Sequence, residues 1–129
     1  MSKDNQRVEL IFKDAESLFR DAIEELDRGK IRDAAEKSWG AALRATNALI
    51  LALTGEEPER TPLTSKKLDE LSRKDDRIKG LKLPERYCTR ADSLHGDCFY
   101  LGVYDLDTVE RRIRETIQYI EDTRKLVGK

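Results

Sequence analysis

The sequence predicts an all-α fold: a helical bundle built on a long antiparallel helix pair, with a short helix, a motif helix and a C-terminal helix. Three observations predict it. Apolar residues recur at the helical period of about 3.6 through most of the chain, and no segment shows a strand's convincing alternation. Charged residues make up 40% of the chain and aromatic residues 6%, which suits helices with a narrow buried stripe and a wide solvated face. At 129 residues the chain reads as a single domain, 1–129, long enough to bury roughly two-thirds of its unfolded surface.

The first helix is expected from about Asn5 to Arg28, with Val8, Ile11, Phe12, Ala15, Leu18, Phe19, Ala22, Ile23 and Leu26 on one face. Gly29 is a natural stop, and the next helix starts almost at once, so the two should form an antiparallel hairpin. The second helix spans about Ile31 to Leu53 and ends at Gly55. It carries a stripe of small residues (Ala34, Ala35, Ser38, Ala42, Ala45) and a second apolar edge of Trp39, Leu43, Thr46 and Ile50. Two apolar edges make it the central helix, with Trp39 as a core anchor.

A linker holding Pro58 leads to a short helix from about Pro62 to Arg73, where Pro after Thr61 suits a first helical position. Asp75 to Leu83 reads as a charged loop containing Gly80. Pro84 opens the motif helix, which runs to about Tyr100 with Tyr87, Ala91, Leu94, Cys98 and Leu101 as its buried stripe. The last helix runs from about Asp105 to Leu126 on Leu106, Val109, Ile113, Ile117 and Ile120.

A net charge of −1 excludes a chain that binds nucleic acid through overall charge alone. Charge is uneven, however. Lys66 to Arg90 holds nine basic and five acidic residues, whereas Met1 to Gly29 holds five and eight, so a phosphate-bearing partner is directed to the second half. Cys88 and Cys98, ten apart on one expected helix, lie about 15 Å apart along its axis. They form neither a disulfide nor a metal site of their own and read as two small buried hydrophobes. No metal or other cofactor is expected. The polar, charge-alternating start is not a signal peptide, and no apolar run approaches a membrane span; the expected location is the cytoplasm.

One constellation is a candidate for chemistry, the alternative being a half-buried, hydrogen-bonded and inert helical histidine. His95 is the single histidine, and imidazole is the side chain whose charge changes near neutral pH. Arg90 stands five residues before it, about 140° around an α-helix, so the two flank the buried stripe rather than share a face. If that stripe edge packs near a two-fold axis, Arg90 of one subunit approaches His95 of the other, giving a composite cleft in a homodimer. Such a cleft suits metal-free RNA cleavage. One histidine takes the ribose 2′-hydroxyl proton, the other supplies a proton to the leaving 5′-oxygen, and arginines hold the phosphate. Arg86 joins Arg90 as a candidate phosphate ligand, with Lys79 and Lys82 nearby in sequence. Asp92, Tyr87 and Tyr100 are candidates to support the pair.

Three stretches resemble the HEPN superfamily of small helical proteins, and within it the archaeal PaREP group. They are the Ala-rich Ala34–Ala42 segment with Trp39, the Thr61–Thr64 entry to the short helix, and Arg90-Ala-Asp-Ser-Leu-His95-Gly-Asp-Cys-Phe99-Tyr100. The last is similar to the superfamily's Arg-x4–6-His motif and to the group's Leu-His-x-Asn-Phe-Tyr pattern. The resemblance implies a bundle dimerised about the motif helix. It also implies either a metal-independent endoribonuclease, often a toxin paired with a nucleotidyltransferase-like antitoxin, or a non-catalytic binder of nucleotides, RNA or partner proteins. Arg90 and His95 match the catalytic positions. Two residues depart from the pattern: Ala91 stands where active members usually carry a polar residue, and Asp97 where the group tends to have Asn.

Overall fold

Gly29, at a φ of 78°, turns the chain sharply between two long helices. In a computed structural model, which describes residues 3–127, these are α1 (Lys3–Asp27) and α2 (Ile31–Thr54). After a linker come α3 (Thr61–Lys74), α4 (Asp76–Gly80) and α5 (Leu83–Arg90). A π-helical segment, Ala91–Leu101, continues α5, and α6 (Leu106–Val127) closes the bundle. Every regular element among the described residues is helical, as the period of the sequence predicts.

The core explains the order of packing. On one side of α2, Ala41, Ala45 and Ala48 let α1 approach closely, and Val8, Ile11, Phe12 and Ala15 fill the space with Ile120 of α6. Burying side chains such as Ile11 and Phe12 completely contributes roughly 1.5–3 kcal/mol each. On the other side, Ala35, Trp39, Ala42, Leu49 and Ile50 pack with Leu68, Ile78, Leu83, Tyr87, Leu94, Ile113 and Tyr119. The α2 helix is therefore central, and Trp39 is the core anchor its pattern implies, 6% exposed.

Buried hydroxyls fix the helices in register. Thr64 Oγ1 donates to Asn47 Oδ1 at 2.6 Å, tying α3 to α2. Thr46 Oγ1 donates to the Ala42 carbonyl, so the Tyr119 hydroxyl, 2.6 Å away, donates to Thr46. These bonds have one workable geometry each, which apolar packing alone does not impose.

Five expectations need correction. Asp75 to Leu83 is not all loop. Asp75 accepts from the Arg77 amide and Ile78 is fully buried, which folds Asp76–Gly80 into the single turn of α4. The motif helix is α-helical only to Arg90; from Ala91 its hydrogen bonds widen to the i→i+5 pattern. Gly96 weakens α preference at its centre, and Arg32 of α2 forks onto the Phe99 and Tyr100 carbonyl oxygens at its end. The wider turn leaves Leu101 exposed rather than on the buried stripe. Leu106, expected on the buried face of the last helix, is exposed as well, at the very start of α6. Finally, Cys98 is buried but Cys88 is exposed.

Candidate functional site

Pro84 near the start of α5 sets a short helix whose positions 86 and 90 lie one turn apart, on one face. That face meets α6. Arg90 is 5% exposed, and its Nε donates to Thr116 Oγ1 at 2.9 Å while Nη1 donates to the Arg86 carbonyl. Thr116 Oγ1 also accepts from Ser38 of α2 at 2.8 Å and donates to the Arg112 carbonyl. One hydroxyl thus joins α2, α5 and α6. Beneath it, the guanidinium groups of Arg90 and Arg86 lie over the Tyr119 ring, 5.6 and 5.3 Å from its centre.

Among the described residues no carboxylate forms an ion pair with Arg90. Burial therefore holds its pKa below the ordinary guanidinium value, with Tyr119 and Glu115 acting in the opposite sense. Arg86 is paired with Asp122 at 3.0 Å, and Arg112 donates to Ser93 Oγ at 2.8 Å. The three arginines line an open cleft of about 340 Å³ between α5 and α6, with Thr89, Glu115 and Gln118 on its other walls. Asp122 already pairs with Arg86, so among the described residues Arg90 and Arg112 are the lining cations without an ion pair, and Glu115 is the one carboxylate in the lining. Planar guanidinium groups lining a cleft offer donors in the fork geometry that suits a phosphate or carboxylate.

His95 lies elsewhere. It projects from the π-helical segment toward α2, where its Nδ1 is 2.7 Å from Glu36 Oε1. The ring sits beside Trp39 at 5.8 Å, stacks with Phe99 at 6.2 Å and meets the edge of Tyr100 at 6.4 Å. So the motif's two residues turn to different neighbours, Arg90 to α6 and His95 to α2, as their separate flanks predict. Within one chain they do not share a pocket.

Of the supporting candidates, Tyr100 alone touches the histidine. Asp92 is exposed on the π-helical segment. Tyr87 packs on Trp39 in the core at 5.1 Å; burial raises its hydroxyl pKa, and that hydroxyl has no hydrogen-bond partner among the described residues. Lys79 and Lys82 are exposed and do not line the cleft. The sequence reading missed Glu36, Arg112, Thr116 and Tyr119. The last three had a signal, because spacings of four and three put 112, 116 and 119 on one flank of the final helix.

The end of the π-helical segment and the turn after it leave apolar side chains in water: Tyr100, Leu101, Val103, Tyr104 and Leu106. Among the described residues no helix is long and apolar enough to cross a membrane.

No curated protein matches the chain. The model of the archaeal PaREP1/PaREP8 family, by contrast, matches residues 10–120, from α1 through most of α6 and across both Arg90 and His95. The chain belongs to the archaeal PaREP1/PaREP8 family.

Proposed function

We propose that the chain is a HEPN-like helical homodimer that binds a phosphate-bearing ligand, a nucleotide or RNA, in the arginine cleft between α5 and α6. The observation that carries this reading is the buried charge of Arg90. Desolvating a cation without a carboxylate partner costs several kcal/mol even after relaxation, on the order of a small domain's whole stability. A bound phosphate offsets that cost, and Arg86 and Arg112 stand where they would share it. A partner protein presenting an acidic side chain would use the same groups. The exposed strip from Tyr100 to Leu106 supports the homodimer. Side chains of this size at 41–72% exposure present roughly 500 Å² of mostly apolar surface, in the range where such patches are often functional.

The test is fluorescence anisotropy with a labelled single-stranded oligoribonucleotide at several salt concentrations. Affinity should fall with salt, and Arg112→Ala should weaken it about tenfold while reducing the salt slope by about one. Unchanged affinity and slope in that variant would remove the cleft from the binding site.

A second reading is favoured by the Glu36–His95 contact: a metal-independent endoribonuclease, the toxin of a pair whose antitoxin is nucleotidyltransferase-like. His95 takes the 2′-hydroxyl proton and the 2′-oxygen bonds to the adjacent phosphorus. The bond from phosphorus to the 5′-oxygen then breaks, and the 5′-oxygen receives a proton from His95 of the second copy. Arginines hold the phosphate throughout. Metal-free RNA cleavage should vanish in His95→Ala; cleavage that survives the substitution contradicts this reading.

A further inference from the structure

The environment of His95 fixes which of its nitrogens does chemistry. An ionised carboxylate only accepts hydrogen bonds, so Glu36 at 2.7 Å from Nδ1 requires the hydrogen on Nδ1. In the neutral ring the lone pair is then on Nε2. Nε2 has no protein partner among the described residues, and the side chain is 42% exposed. The ring is also held in angle. Trp39 stands on one side, anchored in the core, and Phe99 stacks with it. Glu36 and Trp39 are three apart on α2, hence on one face, so a single rigid helix supplies both the carboxylate and one of these rings.

We propose that Glu36 is the positioning residue of His95: it holds the ring with hydrogen on Nδ1 and presents Nε2 as the nitrogen that exchanges a proton with a ligand hydroxyl. In that exchange the hydroxyl proton moves to Nε2 and its bonding pair stays on oxygen. The ring becomes an imidazolium, and Glu36 stays ionised and offsets the new charge. The arrangement is that of the carboxylate behind the histidine in hydrolytic triads, where the acid orients the ring without taking the proton. The role in catalysis rests on the endoribonuclease reading, whereas the tautomer does not.

A single histidine makes the test direct, because long-range proton–nitrogen NMR of the imidazole needs no assignment. At a pH where the ring is neutral, the wild-type protein should show Nδ1 protonated and Nε2 bare. Glu36→Ala should shift the ring toward hydrogen on Nε2, the form that free histidine favours in water. Glu36→Gln should keep most of the wild-type pattern, since its amide oxygen still accepts. A wild-type ring with hydrogen on Nε2 overturns the proposal, and so does an unchanged tautomer in a folded Glu36→Ala protein. If the wild type cuts RNA without metal, Glu36→Ala should lower kcat about tenfold or more with KM little changed. A wild type that shows the Nδ1–H form but cuts no RNA removes the nuclease reading and leaves the positioning role standing.

Discussion

Arg90 donates its Nε hydrogen to the Thr116 hydroxyl across 2.9 Å in the interior between α5 and α6, while the Ser38 hydroxyl donates to the same oxygen from α2. A buried guanidinium is thereby held by hydroxyl and carbonyl oxygens, with no carboxylate in ion-pair contact among the described residues. The geometry fixes where the charge sits without neutralising it.

The bond makes Thr116 a stability determinant. Thr116→Val keeps the shape but leaves Arg90 Nε and the Ser38 hydroxyl without their acceptor, which should cost about 2–3 kcal/mol. Urea unfolding should show the loss as a lower midpoint with an unchanged slope. Thr116→Ser should recover most of it.

Tyr119 predicts an alkaline limit. Burial pushes its hydroxyl pKa up from 10.0 to about 12, with the nearby Arg90 and Arg86 opposing. A folded value above the unfolded one means the native state keeps a proton that the unfolded chain loses. This contribution is therefore fully present below pH 10.0 and is lost as pH rises to about 12. A shift of this size corresponds to roughly 2–3 kcal/mol. Tyr119→Phe should flatten the decline between those limits in unfolding curves measured against pH.

Arg32 should hold the end of the π-helical segment. It bonds the Phe99 and Tyr100 carbonyls from an exposed position, and the Gly102 and Val103 amides close onto Cys98 and Asp97 just beside it. In Arg32→Ala, hydrogen exchange at Gly102 and Val103 should quicken roughly fivefold to tenfold, with core amides unaffected.

The strip from Tyr100 to Leu106 should be the dimer surface. Leu101→Asp combined with Val103→Asp should convert a sedimenting dimer to monomer with little change in the stability of the monomer, since both side chains are exposed. A wild-type protein that sediments as a monomer at high concentration contradicts the homodimer.

Sequence periodicity made the bundle legible because apolar stripes are long: those of α1, α2 and α6 persist over several turns. It also placed Arg90 and His95 on separate flanks. It did not reveal the π-helical segment, since the spacing of Tyr87, Ala91, Leu94 and Cys98 suits an α-helix equally well and the widening depends on contacts such as Arg32 on a distant carbonyl. Nor did it reveal the partners of the two motif residues. Glu36 is 59 positions from His95 and Thr116 is 26 from Arg90, and pairing across such separations is set by helix packing rather than by local pattern. Arg112 was hidden among five arginines and lysines on α6 that differ only in which neighbour they face.

The most direct measurement is a paired one on Arg90→Met, which keeps the volume of the side chain and removes its charge. If Arg90 is held in the interior for a phosphate-bearing ligand, the variant should unfold at the same temperature as the wild type or higher, because an unpaired buried charge has gone. It should also bind the oligoribonucleotide at least tenfold more weakly. A variant that loses several kcal/mol of stability yet binds with full affinity would make Arg90 a structural residue and contradict the proposed cleft.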